Sequence, residues 1–155
     1  EELYELIGHS DANRVKSRAL YLLSHRDHSK KELKDKLRRF SSDKAAEDAA
    51  DRMQELGLID DASYAERYAA ELIERKHFST RRAEYELIQK GIDRDLARAA
   101  VEALSPDPKE QIAELLSRKY PDAGTDEGVR RRAVAALQRL GFEYEDIRCV
   151  LHQSD

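Results

Sequence analysis

Three small groups of residues in this chain are of types that do chemistry. His25 and His28 lie three apart and on a helix would share a face, so they are a candidate metal pair. Asp60 and Asp61 are adjacent carboxylates of the kind that attract hard cations such as Mg²⁺. Ser29 follows His28 directly, which places a hydroxyl beside an imidazole, the elements of an activated nucleophile. Each has a plainer account. A structural zinc site wants about four ligands, and no HExxH pattern or nearby Cys accompanies the two histidines. Carboxylates in tandem commonly open a helix, where they meet the positive end of its dipole. A serine that caps a helix has its oxygen engaged and is no nucleophile. No glycine-rich phosphate loop occurs. The plainer accounts are preferred: no catalytic residue, no metal and no cofactor is expected, and the chain is not read as an enzyme.

A larger group is cationic. Arg26, Lys30, Lys31, Lys34, Lys36, Arg38 and Arg39 cluster near the N-terminus. Arg75, Lys76, Arg81 and Arg82 follow in the middle, and Arg130, Arg131 and Arg132 near the C-terminus. The net charge of −4 conceals this, because charge comes in blocks. Residues 14–40 hold ten Lys/Arg against three Asp/Glu, residues 41–74 hold three against ten, and residues 75–98 hold seven against four. Such alternation predicts a surface with a basic stripe that binds phosphates or docks on an acidic protein groove. No RNP motif, zinc finger or helix-turn-helix signature accompanies it, so sequence-specific reading of DNA is the weaker option.

The elements that must position these residues are helical. Charged residues make up 39% of the 155 and the apolar set 40%, with no Trp, six Gly and three Pro. Ala, Leu, Glu, Arg and Lys dominate, and these side chains lose little freedom on a helix. One cysteine, Cys149, excludes an internal disulfide and fits a reducing compartment. No apolar run approaches the ~18 residues of a membrane span, and no signal-like segment opens the chain. A cytoplasmic protein, monomeric and without membrane contact, is expected.

The helices repeat. At an offset of fifty residues Leu22 matches Leu72, Ser29 matches Ser79, Leu33 matches Ala83 and Leu37 matches Leu87. A looser third copy starts at Leu115 and resumes after an insertion, with Leu137, Leu140 and Gly141 standing where Leu87, Lys90 and Gly91 predict. Periods of this size mark one supersecondary unit used several times. Each copy reads as three short helices. In the first, Ala19, Leu20 and Leu23 mark one face. Ser29 to Glu32 then form a capping box ahead of a stripe of Leu33, Leu37 and Phe40, with Lys30, Lys34 and Arg38 on a solvated face. Ala46, Ala49, Ala50, Met53 and Leu56 line a third helix ended by Gly57. In the second copy the inner faces are Tyr64, Tyr68 and Leu72, then the helix from Ser79 to Gly91, then Leu96, Ala99, Ala100, Ala103 and Leu104. Asp107 with Pro108 and Glu110 opens the third. No segment alternates with period two over strand length. The prediction is an all-α chain of tandem three-helix repeats, about nine helices in three units at 1–57, 58–105 and 106–155, elongated and curved.

The segments RALYLLSHRDHSKKELKDKL, ELGLIDDASYAERYAAELIERKHFSTRRAEYELIQKGI, RKYPD and RLGFEYEDI together resemble the RecX family of recombination regulators. The match runs from Arg18 to Leu151 in the family's order. Arg26, His28, Ser29, Leu33, Gly57, Asp60, Asp61 and Gly91 fall on its recurrent positions, most of which read as caps and turns. The resemblance implies tandem three-helix repeats and no catalytic residues. It implies a negative regulator that binds the RecA filament on single-stranded DNA and obstructs its extension. ATP hydrolysis, strand exchange and coprotease activity would fall as a result. The alternative from the residues alone is a general helical module that binds single- or double-stranded DNA through the same cations. The acidic block at 41–74 favours docking on protein, with DNA contact secondary.

Overall fold

The structure, a computed structural model, describes residues 2–153, with side chains from Asp11 onward. The helices are α1 (Glu2–His25), α2 (Lys30–Leu37), α3 (Asp43–Glu55), α4 (Asp61–Ala70), α5 (Thr80–Gln89), α6 (Arg94–Ala103), α7 (Pro108–Lys119), α8 (Glu127–Arg139) and α9 (Tyr144–Gln153). A single π-helical turn, Glu71–Arg75, prolongs α4. There is no strand among the described residues, so the all-α expectation holds. No described helix is long and apolar enough to cross a membrane.

The helix starts follow from local chemistry. Ser29, Ser42, Asp107 and Asp126 each accept a backbone N–H from the first turn of α2, α3, α7 and α8, satisfying donors that have no partner inside the helix. Pro108 takes the first turn of α7, where its missing N–H costs nothing. Asp60 does the same for α4, accepting from the Ser63 N–H at 3.2 Å. The carboxylate pair is thus used as a helix start. The capping box at α2 is only half made. Ser29 Oγ accepts from the Glu32 N–H at 3.1 Å, but the Glu32 carboxylate turns to Arg26 at 2.8 Å and to the Tyr64 hydroxyl at 2.9 Å. Charged and phenolic donors outbid a backbone amide for it. Asp61 takes over at that end, accepting from the Lys30 N–H at 2.9 Å.

The chain divides into two compact units, residues 1–65 with 89–93, and residues 66–88 with 94–155. In the first unit Val15 and Ala19 of α1, Leu33 and Leu37 of α2 and Ala46, Ala49 and Met53 of α3 close on one another with Ile59. Alanines on α3 let the three helices approach closely. Three residues assigned to inner faces lie outside. Leu20 and Leu56 are about half exposed, and Phe40 is 42% exposed. All three sit at the edge of their apolar stripe, and Phe40 lies beyond the last turn of α2. There its ring is covered by the Arg18 guanidinium at 5.6 Å.

In the second unit one cluster joins Ile112, Leu115 and Leu116 of α7, Ala133 and Leu137 of α8 and Ile147, Val150 and Leu151 of α9, with Ala123 and Phe142 from the loops. On α6 the buried positions are Ala97, Ala100 and Val101, while Leu96, Ala99 and Ala103 are exposed. The face is therefore rotated by one residue from the expected one. Alanine tolerates both faces, so it sets the rotation poorly, and Val101 decides it.

One joint recurs at the fifty-residue offset. In the first unit Ser29 Oγ donates to the Lys90 carbonyl, and a Cβ on Gly91 (φ +93°) would overlap the Lys31 side chain. In the second unit the Ser79 N–H donates to the Leu140 carbonyl at 2.9 Å. A Cβ on Gly141 (φ +99°) would there lie 2.7 Å from Arg82 Cβ. Both glycines are required twice over, for the left-handed backbone and for the closeness of the joint. At the outer positions of this register stand Ser41 in place of the glycine and Val129 in place of the serine. The joint is thus made twice among the described residues.

Candidate functional site: the cationic middle helices

Of the candidate cations on α2, three are engaged by α3. Lys30 meets Asp51 at 2.6 Å, Lys34 meets Glu47 at 3.7 Å and Arg38 meets Asp43 at 3.5 Å. The two helices run antiparallel. Cations rising by four on one helix therefore face acids falling by four on the other. The packing of Leu33 and Leu37 against Ala46, Ala49 and Met53 sets this register. Lys30 and Lys34 are half-buried in consequence and do not stand on a solvated face as expected. Lys30 also reaches the Gln54 amide oxygen at 2.8 Å, and Arg38 reaches Asp35 at 3.1 Å. The acidic block thus neutralises much of the basic block before any partner arrives.

The turn between α1 and α2 is built around His28, which is only 3% exposed. Its Nδ1 is 2.9 Å from the Arg26 carbonyl, which only accepts, so Nδ1 carries the proton and donates. Nε2 is then free to accept from Lys36 Nζ at 2.9 Å. Burial, with the charges of Arg26 and Lys36, holds the imidazole below its ordinary range. The bond to the carbonyl and the Glu32 charge oppose this. Lys36 is lowered too, by its own desolvation and then by Arg26. Burial raises Glu32, but the bonds from Arg26 and Tyr64 outweigh it and bring the carboxyl below its usual range. His28 is therefore a neutral structural hydrogen-bonding group. His25 is exposed on α1, its ring 4.4 Å from that of Tyr21. No group of His, Cys, Asp or Glu among the described residues forms a metal site.

The remaining candidates divide by what already holds them. Arg26 is paired with Glu32 and donates to the Asp27 carbonyl at 2.9 Å. Arg75 faces Glu71 at 3.7 Å. Arg82 binds Glu86 at 3.0 Å, donates to the Arg139 carbonyl and covers the Phe78 ring at 4.6 Å. Phe78 stands where the first copy has His28. Arg130 donates to the Ala123 and Gly124 carbonyls at 3.0 and 2.9 Å and ties down the inserted loop. Arg131 pairs with Glu127 at 3.2 Å. Lys31, Arg39, Lys76, Arg81 and Arg132 are exposed, and no ion pair among the described residues engages them. One register place recurs: Lys31, Arg81 and Arg131 occupy the same position on α2, α5 and α8, each exposed.

Repeated helical modules joined at helix ends, with cations facing outward, define a helical-repeat protein. The comparisons make this specific. The model of the first three-helix domain of RecX matches residues 16–53 and that of the second three-helix domain matches residues 60–101. A regulatory protein RecX from Chlorobium phaeobacteroides is 36% identical over 87% of this chain and 89% of its own length. One from Thermobifida fusca is 35% identical over 83% of this chain and 72% of its own. A crystal structure of RecX from Lactobacillus salivarius shares the fold, with a TM-score of 0.77 at 24% identity over 93% of this chain and 96% of that one. The chain belongs to the RecX family of regulatory proteins.

Proposed function

We propose that this protein is a negative regulator of the RecA recombinase, acting by contact with the RecA filament on DNA. Bound along the filament it limits extension, and so lowers ATP hydrolysis, strand exchange and coprotease activity. Membership of the family over most of the chain carries this reading. It is supported by the recurrence of Lys31, Arg81 and Arg131 at one register place. Repeats at 1–57, 58–105 and 106–155 would offer successive modest contacts to a periodic partner, and linked contacts multiply through effective concentration. The protein works as a monomer and brings no catalysis of its own. Direct DNA contact is secondary, because nine of the fourteen candidate cations are already engaged internally, seven of them in ion pairs.

The deciding experiment titrates the protein into RecA on single-stranded DNA and follows ATP hydrolysis. Hydrolysis is expected to fall with added protein, and an unchanged rate across molar ratios overturns the reading. A general DNA-binding module would instead shift naked DNA at low salt, with affinity falling log-linearly as salt rises.

A further inference from the structure

Two cavities adjoin on the second unit. The first, about 600 Å³, is lined by Arg81, Arg82, Tyr85, Gln138, Glu143 and Tyr144 among others. The second, about 540 Å³, shares Gln138 and Tyr144 and continues past Arg131 of α8. Tyr85 is 57% exposed and Tyr144 56%, and Ile88 lies one turn beyond Tyr85 on the same face of α5, also exposed. No ring contact among the described residues engages either tyrosine. Repeat packing does not require them, since the positions equivalent to Tyr85 in the other copies are Asp35 and Ala135, and those equivalent to Tyr144 are Lys44 and Arg94.

The charges decide what such a groove accepts. Arg82 is held by Glu86 and the Arg139 carbonyl, Arg130 by the Ala123 and Gly124 carbonyls and Arg131 by Glu127, so among the described residues Arg81 is the wall cation left unengaged. Glu143 stands on the same wall. A nucleic-acid strand draws affinity from several cations that each neutralise a phosphate. Here one is available, and Glu86, Glu127 and Glu143 would repel the others. Exposed Tyr beside Arg, with an apolar residue adjoining and Lys absent, is instead the composition of protein-interface anchors.

We infer that this groove docks an extended polypeptide segment of the recombinase, an inference that rests on the regulatory reading above. An apolar side chain of the segment packs against Tyr85 and Tyr144, and a carboxylate of the segment engages Arg81. The free groove is already concave, and its phenol rings carry few rotatable bonds, so little order is lost on docking.

The test uses the full chain labelled with 3-fluorotyrosine, its Tyr85 and Tyr144 resonances assigned through Y85F and Y144F. It is titrated separately with acetyl-Leu-Phe-Asp-Leu-amide and with a short oligothymidylate. The peptide is expected to move both resonances and to lose about tenfold in affinity with Arg81→Glu, while the oligonucleotide moves neither. Movement by the oligonucleotide alone, or by neither probe, overturns the inference. In a second arm, binding to RecA filaments on single-stranded DNA is compared for wild type, Tyr85→Ala and Tyr144→Ala, with thermal melts run beside it. Each variant should bind about tenfold more weakly at an unchanged melting temperature. Equal binding by wild type and variants overturns the groove and leaves the regulatory reading standing. Absent binding by wild type overturns the regulatory reading and the recombinase as occupant with it, and the peptide titration then decides only whether the groove takes polypeptide.

Discussion

At the scale of single residues, the chemistry suggested by His25, His28, Ser29 and Asp60–Asp61 dissolves into structure, and His28 shows how. The sequence places it in a turn, which it occupies. Its burial depends on Lys36 and Arg26 meeting around it, and no local pattern announces that. It also gives the fold a pH dependence whose sign is fixed. The folded-state value lies below the unfolded one, so the unfolded chain takes up the proton first as pH falls. Stability should be full above the ordinary imidazole value of about 6.5 and decline as pH drops through and below it. Urea midpoints at descending pH would show this decline, and His28→Phe, which copies the residue at position 78, should flatten it. Glu32 adds a second loss at lower pH, as acidification protonates a carboxylate that Arg26 and Tyr64 hold ionised. The glycines were legible from the start as helix ends. Their second duty, admitting a neighbouring side chain, was not. Gly57→Ala, in open space, should cost about 1 kcal/mol for its left-handed backbone. Gly91→Ala and Gly141→Ala should each cost about 1–3 kcal/mol beyond that from crowding, measured by chemical denaturation.

At the scale of elements, starts and ends were readable wherever a cap residue acts on its own helix, as Ser29, Ser79 and Asp107 do. Faces were readable where leucines recur at helical spacing, as Leu33 and Leu37 do on α2, and poorly readable on alanine-rich helices such as α6, where Leu96 lies outside and Val101 inside. The ion-pair ladder between α2 and α3 left a usable signal, cations and acids each spaced by about four on successive helices. It becomes a statement about contact only once the antiparallel register is known. Reversing Lys30, Lys34 and Arg38 together to Glu should therefore destabilise the fold, by about 1–3 kcal/mol if each pair contributes up to ~1 kcal/mol. Reversing Asp51, Glu47 and Asp43 to Lys in the same chain should recover most of the loss, and added salt should shrink both effects. Leu33→Ala, at a fully buried site, should cost roughly 2–5 kcal/mol and respond to neither treatment.

At the scale of the whole molecule, regulation by contact calls for charges that remain available after folding. Those are fewer than the sequence suggests. Arg39, Lys76 and Arg132 are unpaired and exposed, so reversing them to Glu should leave melting unchanged. The concentration needed for half-inhibition of RecA hydrolysis should rise about tenfold, equivalent to ~1.4 kcal/mol of contact energy. The equivalent reversal at Lys30, Lys34 and Arg38 would confound folding with function and is the poorer probe.

The joint made by Ser29 with Lys90 and by Ser79 with Leu140 spans the same number of residues each time, although the loop at 120–125 is longer in the later copy. The extra loop residues are offset by shorter helices, α6 and α7 against α3 and α4 with its π-helical turn, so the spacing is the same while its parts differ. Seen from the gene, this is a rule about crossing-over. Unequal exchange that adds or removes fifty codons would keep the serine, carbonyl and glycine positions in step, whereas an in-frame change of a few codons inside a helix would put the partners on either side of it out of phase.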